Sequence, residues 1–356
     1  MSQEQFQREN SASSLVAVRQ VDYGAEDLER EVHDQVRAVM EAANWQEFIE
    51  PDEKICLKPN LCIDITFPGF VTSPWVLKSV IRVLKDKTQN IVVIENDTWT
   101  SDADKAVRNS GLMAVIEEEG VQWCNLSKDR WIDVTLKNSL VLPNPIKIPE
   151  LLTQCKLVTV PVLKTHGNTT ITGAVKNQYG CISKGRLAYH EVIDKTLVDI
   201  NRLFKPVFCI VDGTIGSEGN GPKEGNPRIC NLLLASADNV AIDTISTRLM
   251  GIKEEITHLR LNQEHGLGNQ SLERIQLVGD SISNINLKFS HNSKSLLTIL
   301  DLWLRKPGLK WLIYSTFIFK IVLVLAKANY PIWMFICGKR RRDRAIASRY
   351  GTQWKT

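Results

Sequence analysis

The run LVTVPVL at residues 157–163 does not alternate polar and apolar side chains. A strand of that kind must be covered on both faces, which favours the interior of a parallel sheet over an antiparallel sheet with one wet face. NIVVIEND at 90–97, PVFCIVDG at 206–213 and NLLLASAD at 231–238 share this character. Segments of helical period lie between such runs. Residues 25–45 bring Leu28, Val32, Val36, Val39 and Met40 to one face. Ser73 and Pro74 open a second helix that turns Val76, Leu77, Val80, Ile81 and Leu84 inward. Further strands are expected at 14–21, 54–60, 121–127 and 274–280, and further helices from Ser101 or Asp102, over 191–204, and from Asp238 to Gly251. The stretch from Thr135 is a hairpin or loop excursion. The expected fold class is α/β: a mostly parallel, Rossmann-like sheet flanked by helices, followed by a hydrophobic, basic helical tail.

With 356 residues, 43% hydrophobic and 24% charged, the chain has ordinary globular composition and no linker that divides it. Its expected parts are a disordered stretch at 1–13, an α/β domain over 14–295 and the tail over 296–356. None of the eight cysteines forms a CxxC pair, so neither a zinc ribbon nor an iron–sulfur cluster motif is present. Several sit in apolar runs as small hydrophobes, and a reducing, cytoplasmic compartment is expected. The polar N-terminus lacks the apolar core of a secretory signal. The net charge of +4 is concentrated in the tail, where ten Lys and Arg face one acid between Arg305 and Arg344. The body is mildly acidic, which argues against a nucleic-acid groove.

In open α/β sheets, ligands bind outside the carboxyl ends of the strands. Five strands here end in polar residues: Lys58-Pro59-Asn60, Glu95-Asn96-Asp97, Lys164-Thr165-His166, Asp212-Gly213 and Asp238. A second polar cluster, Gly173-Ala174-Val175-Lys176-Asn177, follows the third. Cations, imidazole, hydroxyls and amides at one edge suit an anionic ligand or proton transfer. Lys164, Lys176, His166 and His190 are the candidate catalytic residues, with the imidazoles as acid or base. Lys58, Asn60, Thr165, Asn177, Gly213 and Gly219 are candidate ligand contacts. The glycine-rich stretch 213–226 is expected to be a loop whose amides form an anion nest. Asp212, Glu218 and Asp243 could hold a hard divalent cation; otherwise Asp212 caps a turn and Asp243 pairs with a lysine. The chain has no Walker loop, dinucleotide fingerprint or nucleophile elbow.

These pieces, in this order, resemble the family called domain of unknown function 362 over residues 54–280. The resemblance rests on Lys58 to Leu61, Pro161 to His166, Gly173 to Asn177 with Gly180, His190, Val211-Asp212-Gly213, Glu218-Gly219, Gly221-Pro222, and Ser236-Ala237-Asp238 with Asp243. It implies little about activity, since the family's chemistry is largely unassigned. Many relatives add a ferredoxin-type cluster domain, whose cysteine motifs this chain lacks. The Lys-Thr-His and Gly-Ala-Val-Lys-Asn pieces are also distantly similar to site loops of the nickel-pincer racemases.

The tail carries an apolar core at 311–326, interrupted by Lys320, which is shorter than a spanning helix needs. Interfacial aromatics and the basic run 339–342 suit the surface of an anionic membrane. A helix packed on the body or in a homodimer interface is the alternative use of the same segment. The expected function is an enzyme acting on a small or lipid-linked anionic substrate by Lys/His acid–base chemistry, peripheral to a membrane. An electron-transfer accessory and a non-catalytic membrane scaffold are the competing readings.

Overall fold

The computed structural model describes residues 13–290 and 331–354, apart from Trp99, Lys223 and Ile332. Its first half runs β1 (Ser14–Gln20), α1 (Leu28–Ala42), β2 (Ile55–Pro59), α2 (Pro74–Leu84), β3 (Ile91–Glu95), α3 (Ala103–Asn109), α4 (Leu112–Glu118) and β4 (Gln122–Asn125). A two-stranded hairpin follows, β5 (Trp131–Val134) with β6 (Ile146–Pro149). Then come β7 (Lys156–Val160), β8 (Val162–His166), β9 (Thr170–Ile171), α5 (Gly173–Asn177), α6 (Ile193–Phe204), β10 (Phe208–Asn220) and β11 (Glu224–Ser236). The body closes with α7 (Asn239–Leu249), α8 (Thr257–Glu264) and β12 (Ile275–Gly279); α9 (Lys339–Ile346) lies near the C-terminus.

The main sheet has the order β12-β1-β11-β10-β7-β2-β3-β4. Every neighbouring pair is parallel except those made by β11, which runs against both β1 and β10. Because successive strand residues point to opposite faces, each strand feeds two cores. Cys56, Val92 and Ile94 face Leu197, Ile200, Ile242 and Ile245 on α6 and α7. Ile55, Leu57, Ile91 and Val93 face Val36, Val39, Leu77 and Val80 on α1 and α2. Expectation and structure thus agree on an α/β fold with a mostly parallel sheet between helical layers.

Four features depart from expectation. The run at 157–163 is two strands, because Pro161 has no N–H to continue a ladder; its carbonyl instead accepts the N–H of Asp212 at 2.8 Å. Lys164, Thr165 and His166 therefore lie on β8 itself, paired with β10 and β9. The stretch 213–226 is no loop. It forms the turn and distal part of the β10–β11 hairpin, whose register runs from Cys209 opposite Ser236 to Asn220 opposite Glu224. Since β11 is antiparallel, its end at Asp238 lies at the opposite edge from the ends of β2, β3 and β10. Four strands, not five, converge on the expected edge.

Lastly, Cys56 and Cys155 form a disulfide with their Cα atoms 5.8 Å apart, where reduced thiols were expected. β2 and β7 are parallel neighbours with Cys56 beside Leu157, so the thiols meet across the ladder. Nothing in the spacing of these cysteines announces that contact. The apolar stretch 296–330 lies outside the described residues. Beyond it, the chain returns to the body: the Tyr350 ring is fully buried and its hydroxyl reaches Asn231 Oδ1 at 2.9 Å. No helix among the described residues is long and apolar enough to cross a membrane.

Asp238 begins α7 as expected, accepting the N–H groups of Val240 and Ala241 at 2.9 Å. It also ties β1 and the 269 loop to that helix, through Ser14 Oγ at 2.6 Å and Asn269 N at 2.9 Å. Asp238→Ala is expected to lower the unfolding free energy by about 2 kcal/mol. Urea denaturation measures this, and an unchanged midpoint would contradict the capping role.

Candidate functional site

The carboxyl ends of β2, β3 and β7, with β8 and α5, enclose a buried polar network. The Lys58 ammonium meets Glu95 Oε2 at 2.7 Å, with both side chains nearly inaccessible. Glu95 Oε1 accepts the N–H of Asn96 at 2.9 Å. A Cβ on Gly180 would lie 2.7 Å from Glu95 Oε1 and 2.8 Å from Lys58 Cε, so the ion pair requires glycine there. Lys58 is thus consumed inside the protein. The role of Glu95 follows from parallel pairing of β2 with β3, which places the ends of both strands side by side.

Lys164 is equally buried but, among the described residues, has no carboxylate against its Nζ. Its ammonium donates to Asn60 Oδ1 at 2.5 Å and to the Phe70 carbonyl at 2.8 Å, with Cys62 Sγ 3.5 Å away. Asn60 Nδ2 donates to Asn177 Oδ1 at 3.0 Å, and Asn177 Nδ2 donates to Thr159 Oγ1 at 2.7 Å. Burial is the main reason the Lys164 pKa falls below its ordinary value. Thr165 is buried on the same strand, its hydroxyl donating to the Gly219 carbonyl at 2.9 Å. Gly219 in turn sends its N–H to Ser290 O at 2.6 Å, and Gly213 stands in the ladder opposite Leu232. Neither glycine sits in a loop nest.

Lys176 differs from the other two lysines. Its Nζ lies 5.7 Å from the centre of the Tyr179 ring, and no acceptor or carboxylate meets it among the described residues. Burial, reinforced by the Lys164 cation, pushes its pKa down to about 7. The ring of His190 stacks on Tyr179 at 5.4 Å. His166 accepts the N–H of Asn168 on Nδ1 at 3.0 Å, which leaves the proton of the neutral ring on Nε2. Burial above all, and then the neighbouring Lys176 cation, hold the His166 pKa well below its usual value. The imidazole is therefore neutral at pH 7 and presents a donor.

α5 is held from below by Asp243, which accepts the N–H groups of Ala174 and Val175 at 2.6 and 2.9 Å. Burial raises the Asp243 pKa to about 7 against the opposing pull of those two bonds. Gly173 stands at φ +60, and a Cβ there would fall 2.4 Å from the carboxylate. Asp212 is a fully buried turn cap, accepting Ser73 N at 2.7 Å and Thr214 Oγ1 at 2.7 Å. Glu218 pairs with Arg228 at 2.9 Å. The three carboxylates do not converge, and among the described residues no group of three or more His, Cys, Asp and Glu is placed to hold a metal ion.

Two further residues were missed by sequence reasoning. Arg186 is buried and clamps the Ile182 and Asp97 carbonyls at 2.9 and 3.1 Å, fixing the segment that carries His190. His258 is buried on α8 with neither ring nitrogen hydrogen-bonded. Asp194 lies 3.6 Å from its Nδ1, beyond hydrogen-bond reach. Both sit in segments without strand-end or motif character, so no local signal marks them.

The chain belongs to the family described as domain of unknown function DUF362, whose model matches residues 55–248. It is 28% identical over 214 residues to the thylakoid-associated protein sll1697 of Synechocystis sp., an alignment covering 57% of this chain. The chain spans 64% of that relative's length. That relative is, by its name, associated with a membrane.

Glu95→Ala strands the Lys58 charge in the interior and should cost roughly 3–5 kcal/mol, whereas Lys58→Met combined with Glu95→Leu should recover most of that loss. Denaturant titration of the three proteins decides it; an equally unstable double variant would contradict the pairing. The folded chain releases the Lys176 proton near pH 7, whereas the unfolded chain holds it to its ordinary 10.5. Stability contributed at this position therefore rises with pH across that window. Relative to the parent, Lys176→Met should be more stable at pH 7, with the difference shrinking toward pH 10. A pH-independent difference would show that Lys176 titrates normally.

Proposed function

We propose that this protein is an enzyme that binds a small or lipid-linked anion at the Lys176 edge and moves a proton on it. The observation that carries this reading is the contrast among the three lysines. Lys58 and Lys164 are fully engaged by protein acceptors, whereas Lys176 offers an Nζ that is unpaired among the described residues and titrates near neutrality. A lysine with a pKa near the working pH is suited to general-base chemistry, since it is often neutral yet remains a competent acceptor. His166, fixed by Asn168, offers its Nε2 proton to charge that develops on the ligand. The buried cations Lys164 and Arg186 give the edge a positive field that favours an anion, whereas the charge of Lys58 is cancelled by Glu95. Asn60, Thr165 and Asn177 shape this wall through their internal bonds. His190 and Tyr179 supply a flat side. Asp212, Glu218 and Asp243 are each satisfied by separate protein partners. The thylakoid-associated relative supports a membrane-peripheral setting, with an anionic membrane surface as the partner of the basic C-terminal segment.

Competitive labelling with an amine-reactive reagent, read by mass spectrometry from pH 5 to 11, tests the central lysine. Lys176 should label with a midpoint near 7, and inorganic phosphate should protect it. A midpoint near that of the surface lysines, without protection, would refute the base assignment.

A further inference from the structure

We infer that residues 334–347 form a docking surface for an anionic lipid bilayer, fastened to the polar site through a single aromatic layer. This rests on the membrane-peripheral part of the reading above and names the surface that part requires. The helical path Met334–Gly338 continues directly into α9. At helical spacing, Phe335, Ile336, Lys339, Arg340, Asp343 and Arg344 fall on one face, with Asp343 paired to Arg342. Phe335 is 90% exposed and Ile336 73% exposed, and the three cations are exposed beside them.

The basic run is divided between two tasks. Arg341 points to the body, donating to the Gly225 and Glu224 carbonyls at 3.1 and 3.3 Å and lying 5.9 Å from the Trp333 ring. Arg342 pairs with Asp343 at 3.0 Å. Lys339, Arg340 and Arg344 remain on the outer face without a carboxylate partner among the described residues. Two large apolar side chains next to unpaired cations match a surface with a hydrocarbon layer beneath anionic headgroups. A second copy of the same face would bring like charges together.

The inner side of this segment is firmly seated. Trp333 packs 5.7 Å from Phe67 and 6.2 Å from Phe70, which stack on each other at 4.0 Å. The Phe70 carbonyl is an acceptor of the Lys164 ammonium. The outer face and the buried cation are therefore joined through Trp333 and Phe70. A protein docked by this face holds its polar edge in a fixed relation to the headgroups, which suits a lipid-linked anion.

Cosedimentation of the full chain with vesicles of equal parts phosphatidylglycerol and phosphatidylcholine tests this surface. Phe335→Ala with Ile336→Ala, and separately Lys339→Glu with Arg340→Glu, should each lower partitioning by more than about tenfold. The charge-reversed pair should also lose its dependence on salt and on phosphatidylglycerol. All four positions are exposed, so thermal unfolding should match the parent. Partitioning equal to the parent would overturn the proposal. So would loss of self-association in these variants by sedimentation velocity with vesicle binding retained, which would make the face a contact between copies. The Lys176 labelling midpoint is measured on the same variants: if it stays near 7, failure of the docking surface is separate from failure of the site.

Discussion

The ammonium of Lys164, buried among neutral oxygens, is the constraint around which this edge of the sheet is arranged. A lysine out of water without a carboxylate tolerates its charge only if acceptors surround it. Here they come from Asn60 and Phe70, far from Lys164 in sequence. Asn60 can turn its oxygen toward Lys164 because its amide nitrogen is taken by Asn177, whose own nitrogen is taken by Thr159. One charge thereby fixes the loop after β2, the ends of β7 and β8, and α5. The same demand holds Phe70 in place, and with it the aromatic stack under Trp333.

The cations divide by whether the protein answers them. Lys58 has Glu95, Lys164 has its cage, and Arg186 has two carbonyls. Lys176 has an aromatic face and, among the described residues, no carboxylate or carbonyl acceptor. Burial and like charge then work in one direction on Lys176 and His166, favouring the neutral form of each near pH 7. A bound anion reverses that preference by restoring an opposite charge, so binding and proton transfer are coupled at one position. Asp243 supports the arrangement from behind by fixing the first turn of α5, which carries Lys176.

Much of this was legible in the sequence. Uninterrupted apolar runs required a sheet covered on both faces, and strand ends rich in Lys, Asn and His located the polar edge. What was not legible depends on contacts made at a distance. The direction of β11 is set by a hairpin whose glycines read as a loop, and with it Asp238 moved to the other edge. Pro161 divides one apolar run, which local hydrophobicity does not register. Glu95 became half of an ion pair through parallel pairing of β2 and β3, and Cys56 met Cys155 through pairing of β2 and β7. Whether His166 can act as acid or as base likewise depends on which ring nitrogen Asn168 occupies, which the sequence does not register. His258 and Arg186 acquire their surroundings only from the packing of α6 and α8 and from the turn before α6.

The most direct test of this division is NMR of the full chain with lysine side chains carbon-13 labelled at Cε, titrated with inorganic phosphate at pH 6.5. The Lys176 resonance should move and saturate, accompanied by the His166 ring, while Lys58 and Lys164 stay fixed because their ammonium groups are already engaged. Saturable shifts at Lys58 or Lys164 with Lys176 unmoved would contradict the claim that Lys176 is the open cation of the site.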